Sequence, residues 1–164
     1  GGVTNGKDIK MVIPGGSSMP PLTKEECLNA KMDNESLKEF GSSIGTAGVM
    51  VMDEDTDILK VLIRIAKFYY HESCGQCTPC REGTGWLLRV LKRIDSGEGR
   101  LQDLDLLTSV AQNIEGNTIC ALGDAAAWPV KWTIKKFRSD FEKRVSDNNL
   151  AVPVKNKVHS FRME

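Results

Sequence analysis

Two periodicities divide the chain. Through about residue 54, apolar residues come in short runs broken by turn formers: "IKMVIP" (9–14) reads as a strand stopped by Pro14 and "GGSS". The two prolines of "MPPL" (19–22) exclude that stretch from a central strand, because proline has no ladder donor. "NESLKEFGSS" (34–43) fits a short helix with Asn34 as cap and Gly41 as stop. "AGVMVMDE" (47–54) reads as a buried strand. From residue 55 the repeat becomes helical. Ile58, Leu59, Leu62, Ile65, Ala66 and Tyr69 share one face of a helix capped by Asp55 or Thr56 and ending near Ser73. Trp86, Leu87, Val90, Leu91 and Ile94 mark a second helix over 82–95; Leu104, Leu107, Val110, Ala111 and Ile114 mark a third over 101–115, with Gly116 suited to the position after its end. A fourth helical region, "DAAAWPVKWTIKKFRSDFEKRV", is expected in two pieces, with Pro129 in the first turn of the second.

The fold class expected is therefore α+β. A small α+β unit (1–54) precedes a four-helix bundle (55–145), and a polar tail without periodicity (146–164) is expected as an extended arm. Lys plus Arg balance Asp plus Glu at 22 each, so there is no basic excess to favour a nucleic-acid face. The chain has no apolar run long enough to span a membrane and no secretory signal at its start. "GGVTNGK" leads straight into a strand with no earlier strand to pair it, which suggests that the chain begins partway through a domain.

The chemistry concentrates in "HESCGQCTPCREGTGW" (71–86). Cys74, Cys77 and Cys80 are spaced C-x2-C-x2-C, and the other two cysteines, Cys27 and Cys120, stand far away. Bridges within the triad would close tiny strained rings, so thiolates acting as metal ligands in a reducing compartment fit better than disulfides. A cubane iron–sulfur cluster wants one thiolate on each of four irons, three of which a short loop can reach. Cys120 is the best fourth ligand. Its loop joins the third helix to the fourth, the triad's loop joins the first to the second, and in an up-down bundle those loops share one end. Cys27, in "KEECLNA", reads as a small buried hydrophobe. The helix start after Cys80, with Arg81, would stabilise anionic sulfur; Gly75 would allow the tight turn and Pro79 would stiffen the loop. A zinc site also remains open, with His71 as a spare ligand, although structural zinc usually takes two cysteine pairs. His71 more simply opposes the dipole at a helix end. Trp86, Trp128 and Trp132 read as core or interface anchors, and Lys131, Lys135, Lys136 and Arg138 as a solvated face that could dock an acidic partner. "IPGGSS" lacks the Gly-Lys-Ser/Thr of a phosphate loop and reads as a turn.

"HESCGQCTPCREGTGW" followed by "GNTICALGDAAAWPVK" closely resembles the flavoprotein (NADH-binding) subunit of respiratory complex I, NADH:quinone oxidoreductase, a pattern shared by diaphorase subunits of NAD-linked hydrogenases and formate dehydrogenases. "IPGGSSMPPL" and "MVMDEDTDI" resemble that family's β-grasp domain and the linker beyond it. The resemblance implies a [4Fe–4S] cluster on Cys74, Cys77, Cys80 and Cys120 that takes single electrons from reduced FMN, itself reduced by NADH. It implies a thioredoxin-like [2Fe–2S] subunit and a large multi-cluster subunit as partners. The setting implied is the peripheral arm on the cytoplasmic or matrix side of an energy-transducing membrane, without membrane insertion. The family's glycine-rich flavin loop does not occur here, so the chain resembles the C-terminal part of such a subunit, packed against an N-terminal flavin domain. Leu122 and Gly123, in "ALGD", would then belong to the wall of the flavin pocket. The rival expectation, from a different class, is a zinc-stabilised interaction module without redox chemistry.

Overall fold

A computed structural model describes residues 2–151 and gives a mixed architecture of seven α-helices and one three-stranded sheet among them. The N-terminal part holds β1 (Ile9–Ile13), β2 (Leu22–Thr23), α1 (Lys24–Asn29), α2 (Asn34–Glu39) and β3 (Met50–Asp53). The helices that follow are α3 (Ile58–Glu72), α4 (Thr78–Asp95), α5 (Gln102–Ile114), α6 (Leu122–Lys136) and α7 (Arg138–Ala151).

The sheet order is β2-β1-β3, antiparallel throughout, with Val12 opposite both Leu22 and Val51. The prolines of "MPPL" precede the edge strand β2, where a missing ladder donor costs least. Alternation along β1 and β3 sends Met11, Ile13 and Met52 into the main apolar core. Val51 points the other way and is 55% exposed, so the strand expected to be buried is half-solvated: β3 is the other edge, with one face on the core. It is also shorter than expected, spanning Met50–Asp53.

Helix α1 was not expected, yet it has a sequence reason. Thr23 accepts from the Glu26 N–H and the Glu26 carboxylate accepts from the Thr23 N–H, a reciprocal capping box. The cap of α2 is Asp33, one residue before the expected Asn34; its carboxylate reaches the Ser36 N–H at 2.7 Å. Likewise α3 is capped by Asp57, which accepts from the Lys60 N–H, rather than by Asp55 or Thr56. Thr56 instead donates to Asp53 at 2.7 Å and closes the turn out of β3.

Helices α3 to α6 pack on one another, α3 against α4 and α6, and α5 against α4 and α6. One apolar cluster joins them to the sheet and to α7; Leu62, Leu91, Ile94, Leu104, Leu107, Ala111, Val130 and Phe141 lie in it. The fourth helical region does come in two pieces, but the break is at Phe137 and not at Pro129. Pro129 sits buried inside α6, and Phe137 leaves the helical region at φ −122°. Residues 146–151 continue α7 as a helix and so correct the extended arm expected there; the rest of that tail, 152–164, lies outside the described residues.

The basic run on α6 and α7 is not a simple solvated face. Lys136 is nearly buried, and its ammonium meets Glu26 of the capping box at 2.7 Å and the Phe40 carbonyl at 3.2 Å, which anchors the sheet region on α6. Lys131 pairs with Glu115, and Arg138 with Asp105 and Glu142. Lys135 stays exposed over the Trp132 ring, 4.7 Å from its centroid. Among the described residues, no helix is long and apolar enough to cross a membrane.

Candidate metal centre

Three of the four candidate cysteines lie at the junction of α3 and α4, Cys74 and Cys77 between the helices and Cys80 in the first turn of α4. The chain leaves α3 at Ser73, whose extended backbone (φ −64°, ψ 125°) turns it toward the cysteines. Gly75 then takes φ +78°, a left-handed conformation that explains glycine at this step. Cys77 is the N-cap of α4 and Pro79 occupies the first turn, where a missing N–H is not needed. Helix α4 thus begins at Thr78, earlier than the expected residue 82, and Cys80 stands inside its first turn instead of ahead of it. That places Cys80 closer to the positive end of the helix dipole.

The three sulfurs differ in exposure: Cys74 is exposed, Cys77 is intermediate and Cys80 is buried. The Ser73 hydroxyl lies 3.2 Å from the Cys80 sulfur and also accepts from the Gly75 N–H at 3.4 Å. Arg81 does more than add charge. Its guanidinium donates to the Gly75 carbonyl at 2.8 Å and to the Thr78 hydroxyl at 3.4 Å, bracing the loop against the helix it enters. Glu82 accepts from Arg81 Nε at 3.0 Å and offsets part of that charge. His71 lies exposed in the last turn of α3, its Nδ1 3.0 Å from the Glu72 carboxylate.

Cys120 is exposed on the loop between α5 and α6. The structure brings that loop to the triad: the Ile119 N–H points at the Cys77 sulfur, 3.4 Å away, across a separation of 42 residues. Local groups hold the loop's shape. The Gly116 N–H donates to the Asp124 carboxylate at 2.7 Å, and the Thr118 hydroxyl to the Cys120 carbonyl at 2.9 Å. Glu115, at the end of α5, takes the Trp128 indole N–H at 2.8 Å and the Lys131 ammonium at 2.5 Å, both from α6. The Lys131 ammonium beside it, chiefly, holds the Glu115 carboxyl below the usual glutamate value. Glu115 and Ser73 had no distinguishing signal in the sequence, since their partners lie on other elements.

Leu122 and Gly123 open α6 just beyond Cys120, Leu122 half-buried and Gly123 buried. A Cβ on Gly123 would fall within 2.6 Å of Thr118 Cγ2, so this glycine lets the loop fold back on its own helix. Cys27 lies apart on α1, half-buried, and burial pushes its thiol up from the usual range. Among the described residues, no three His, Cys, Asp or Glu side chains are grouped about one point as ligands of a single ion.

The donor chemistry fits an anionic iron–sulfur cluster. Thiols on two converging loops are accompanied by an N–H, a hydroxyl and a helix N-terminus, all donors toward negative sulfur.

Comparison with known proteins points the same way. An NADH-quinone oxidoreductase subunit of Rickettsia bellii (strain OSU 85-389) is 56% identical over 146 residues, covering 88% of this chain and 35% of the relative. An NADH-quinone oxidoreductase subunit of Rhizobium meliloti (strain 1021) is 52% identical over 148 residues, covering 90% of this chain and 34% of the relative. The chain thus spans about a third of the length of these curated relatives. A chain in the crystal structure of an NAD+-reducing [NiFe]-hydrogenase in the H2-reduced state superposes with a TM-score of 0.71 at 28% identity, covering 85% of this chain and 24% of the other. Residues 60–144, which contain all four candidate cysteines of the two loops, match a single family description. The chain belongs to that family, the NADH-ubiquinone oxidoreductase-F iron-sulfur binding region.

Proposed function

We propose that this chain is the electron-relay part of an NADH dehydrogenase flavoprotein subunit, with Cys74, Cys77, Cys80 and Cys120 as the ligands of a [4Fe–4S] cluster. The observation that carries the reading is the Ile119 N–H on the Cys77 sulfur, because it sets the Cys120 loop beside the triad. When bound, such a cluster supplies a one-electron site.

The chain's own residues prepare that site. The α4 N-terminus and the Ile119 N–H turn donors toward the sulfurs, where an anionic cluster would be received. Arg81 and Gly75 fix the loop through which Cys74 and Cys77 are presented. Glu115, Asp124 and Thr118 fix the loop that presents Cys120. Leu122 and Gly123, which open α6 just after Cys120, would belong to the wall of the flavin pocket.

FMN and NADH bind, in this reading, in the N-terminal flavin domain of the subunit, on which residues 1–54 pack as a partial β-grasp domain. Residues 55–145 form the four-helix iron–sulfur domain. Electrons leave toward a thioredoxin-like [2Fe–2S] subunit and a large multi-cluster iron–sulfur subunit, in a peripheral arm beside an energy-transducing membrane. The β-grasp assignment is supported by the small antiparallel sheet with α1 packed on it, and the rigid link to the helices by Lys136 on Glu26.

The test is anaerobic purification with iron, sulfide and zinc analysis and EPR after reduction. The parent chain should be brown, carry four irons and become paramagnetic on reduction. Cys120→Ala should lose or degrade the cluster, while Cys27→Ala keeps it. A colourless protein holding one zinc would establish the structural-metal alternative instead.

A further inference from the structure

The Cys80 sulfur is the most enclosed of the four candidate ligands, with its residue only 7% exposed. Its polar neighbour is the Ser73 hydroxyl, 3.2 Å away. Either group could donate if Cys80 were a thiol. A metal-bound thiolate has no proton, so only the serine can donate. The hydroxyl carries one hydrogen, and the Gly75 N–H already points at its oxygen, so that hydrogen is left to face the sulfur. Ser73 is held in place by its own backbone, whose N–H closes the last turn of α3 on the Tyr69 carbonyl at 3.1 Å. The backbone that carries the donor is therefore anchored by the protein's own helix.

We propose that the Ser73 hydroxyl, donating to the Cys80 sulfur, sets the reduction potential of the centre. The inference rests on the reading of Cys80 as a cluster ligand. A hydrogen bond to a ligand sulfur stabilises the electron-rich reduced state more than the oxidised one, and so raises the potential. The effect is largest at an enclosed sulfur, where little water competes and the local dielectric is low. Cys77 receives a comparable donor from the Ile119 N–H, but that one is backbone. Ser73 is a side chain that substitution can remove without touching a ligand.

The experiment is an EPR-monitored redox titration of the full chain carrying its cluster, for the parent, Ser73→Ala and Ser73→Thr. Iron and sulfide contents are measured on each. Ser73→Ala should keep the parent's iron content and be harder to reduce. At fixed ambient potential its reduced-to-oxidised ratio should fall about three- to tenfold, where tenfold for one electron corresponds to about 59 mV. Ser73→Thr retains the hydroxyl and should titrate with the parent. A loaded Ser73→Ala that titrates with the parent overturns the inference, as does a Ser73→Thr that shifts as far as Ser73→Ala. If Ser73→Ala takes up no iron, Ser73→Gly removes the same hydroxyl with less bulk. A loaded Ser73→Gly with a lowered potential supports the inference, one with the parent's potential overturns it, and loss of iron in both variants also overturns it. In that last case the hydroxyl would be holding the site together. A parent chain without iron fails the proposed function itself, which the metal analysis separates from all of these.

Discussion

Glu115 bears on both the fold and the metal centre, and its removal gives a prediction that can be worked through. It closes α5, where the helix dipole is unfavourable to a carboxylate. Its stabilisation must come from elsewhere, and two α6 groups supply it: the Trp128 indole N–H at 2.8 Å and the Lys131 ammonium at 2.5 Å. The side chains of Glu115 and Lys131 are 31% and 24% exposed, between a surface pair and a buried one. A neutral hydrogen bond is worth about 1 kcal/mol net and a charged one about 1.5–3, while exposed pairs give under about 1. Glu115→Ala, which removes both, should cost about 2 kcal/mol. Glu115→Gln keeps an acceptor for Trp128 and leaves Lys131 without an anion, and should cost about 1 kcal/mol. For a chain of this size, about 2 kcal/mol corresponds to a fall of about 4–8 °C in Tm.

The pH dependence follows from the lowered Glu115 value. A carboxyl whose pKa is lower in the folded chain than in the unfolded one adds stability that is complete above the unfolded value. That stability disappears as pH falls through the folded value. The advantage of the parent over Glu115→Gln should therefore be constant from about pH 6 to 8 and shrink below about 4.5, near the ordinary glutamate value. Urea unfolding followed by circular dichroism across that range measures it. A difference independent of pH down to about 3, or a Glu115→Ala variant as stable as the parent at pH 7, would refute the reasoning. Because Glu115 adjoins the loop that carries Cys120, the same variants should also lose iron faster to a chelator.

Two other outcomes are expected. A Cβ on Gly83 of α4 would lie 2.7 Å from both Cγ1 and Cδ1 of Ile114 on α5, and Ile114 is fully buried. Overpacking of about 1–3 kcal/mol then outweighs the roughly 1 kcal/mol gained in helix propensity. Gly83→Ala should therefore lower the urea midpoint, and adding Ile114→Val, which deletes Cδ1, should recover part of the loss; additive destabilisation would refute the contact. At Cys27, burial raises the thiol, so less thiolate is present at pH 8 than in an ordinary cysteine. Its iodoacetamide labelling, followed by mass spectrometry, should be slower than that of a short model thiol and have a pH midpoint above the ordinary range; labelling at the model rate would contradict this.

The contrast between what was legible and what was not is physical. Helices α3, α4 and α5 were readable because each buries one stripe against its neighbours, which writes a 3.6-residue period into the chain. The sheet was harder. Strand β3 looked buried because Met50, Val51 and Met52 are all apolar, yet an edge strand wets one face, and Val51 lies on it. Pro129 misled because proline breaks isolated helices, but here the packing of α6 against α3, α4 and α5 overrides the lost hydrogen bond. The break falls instead at Phe137, a residue with no local stop signal that is buried in the core shared by α6 and α7.

The same distinction divides the metal centre. The convergence of two loops could be argued from chain order alone, since consecutive antiparallel helices return their connections to the same end. The Ile119 contact with Cys77 is the physical counterpart of that argument. What chain order could not supply was the donor set around the sulfurs. Ser73 was read only as the end of a helix, and its hydroxyl matters because α3 stops with that side chain facing the first turn of α4. Cys80 was expected ahead of its helix, and one turn of difference moves its sulfur from an open loop to an enclosed position beside that hydroxyl. The spacing of the cysteines therefore carries the proposed ligand set. The environment that would govern the centre's reactivity depends on where α3 ends and α4 begins, and packing decides both boundaries.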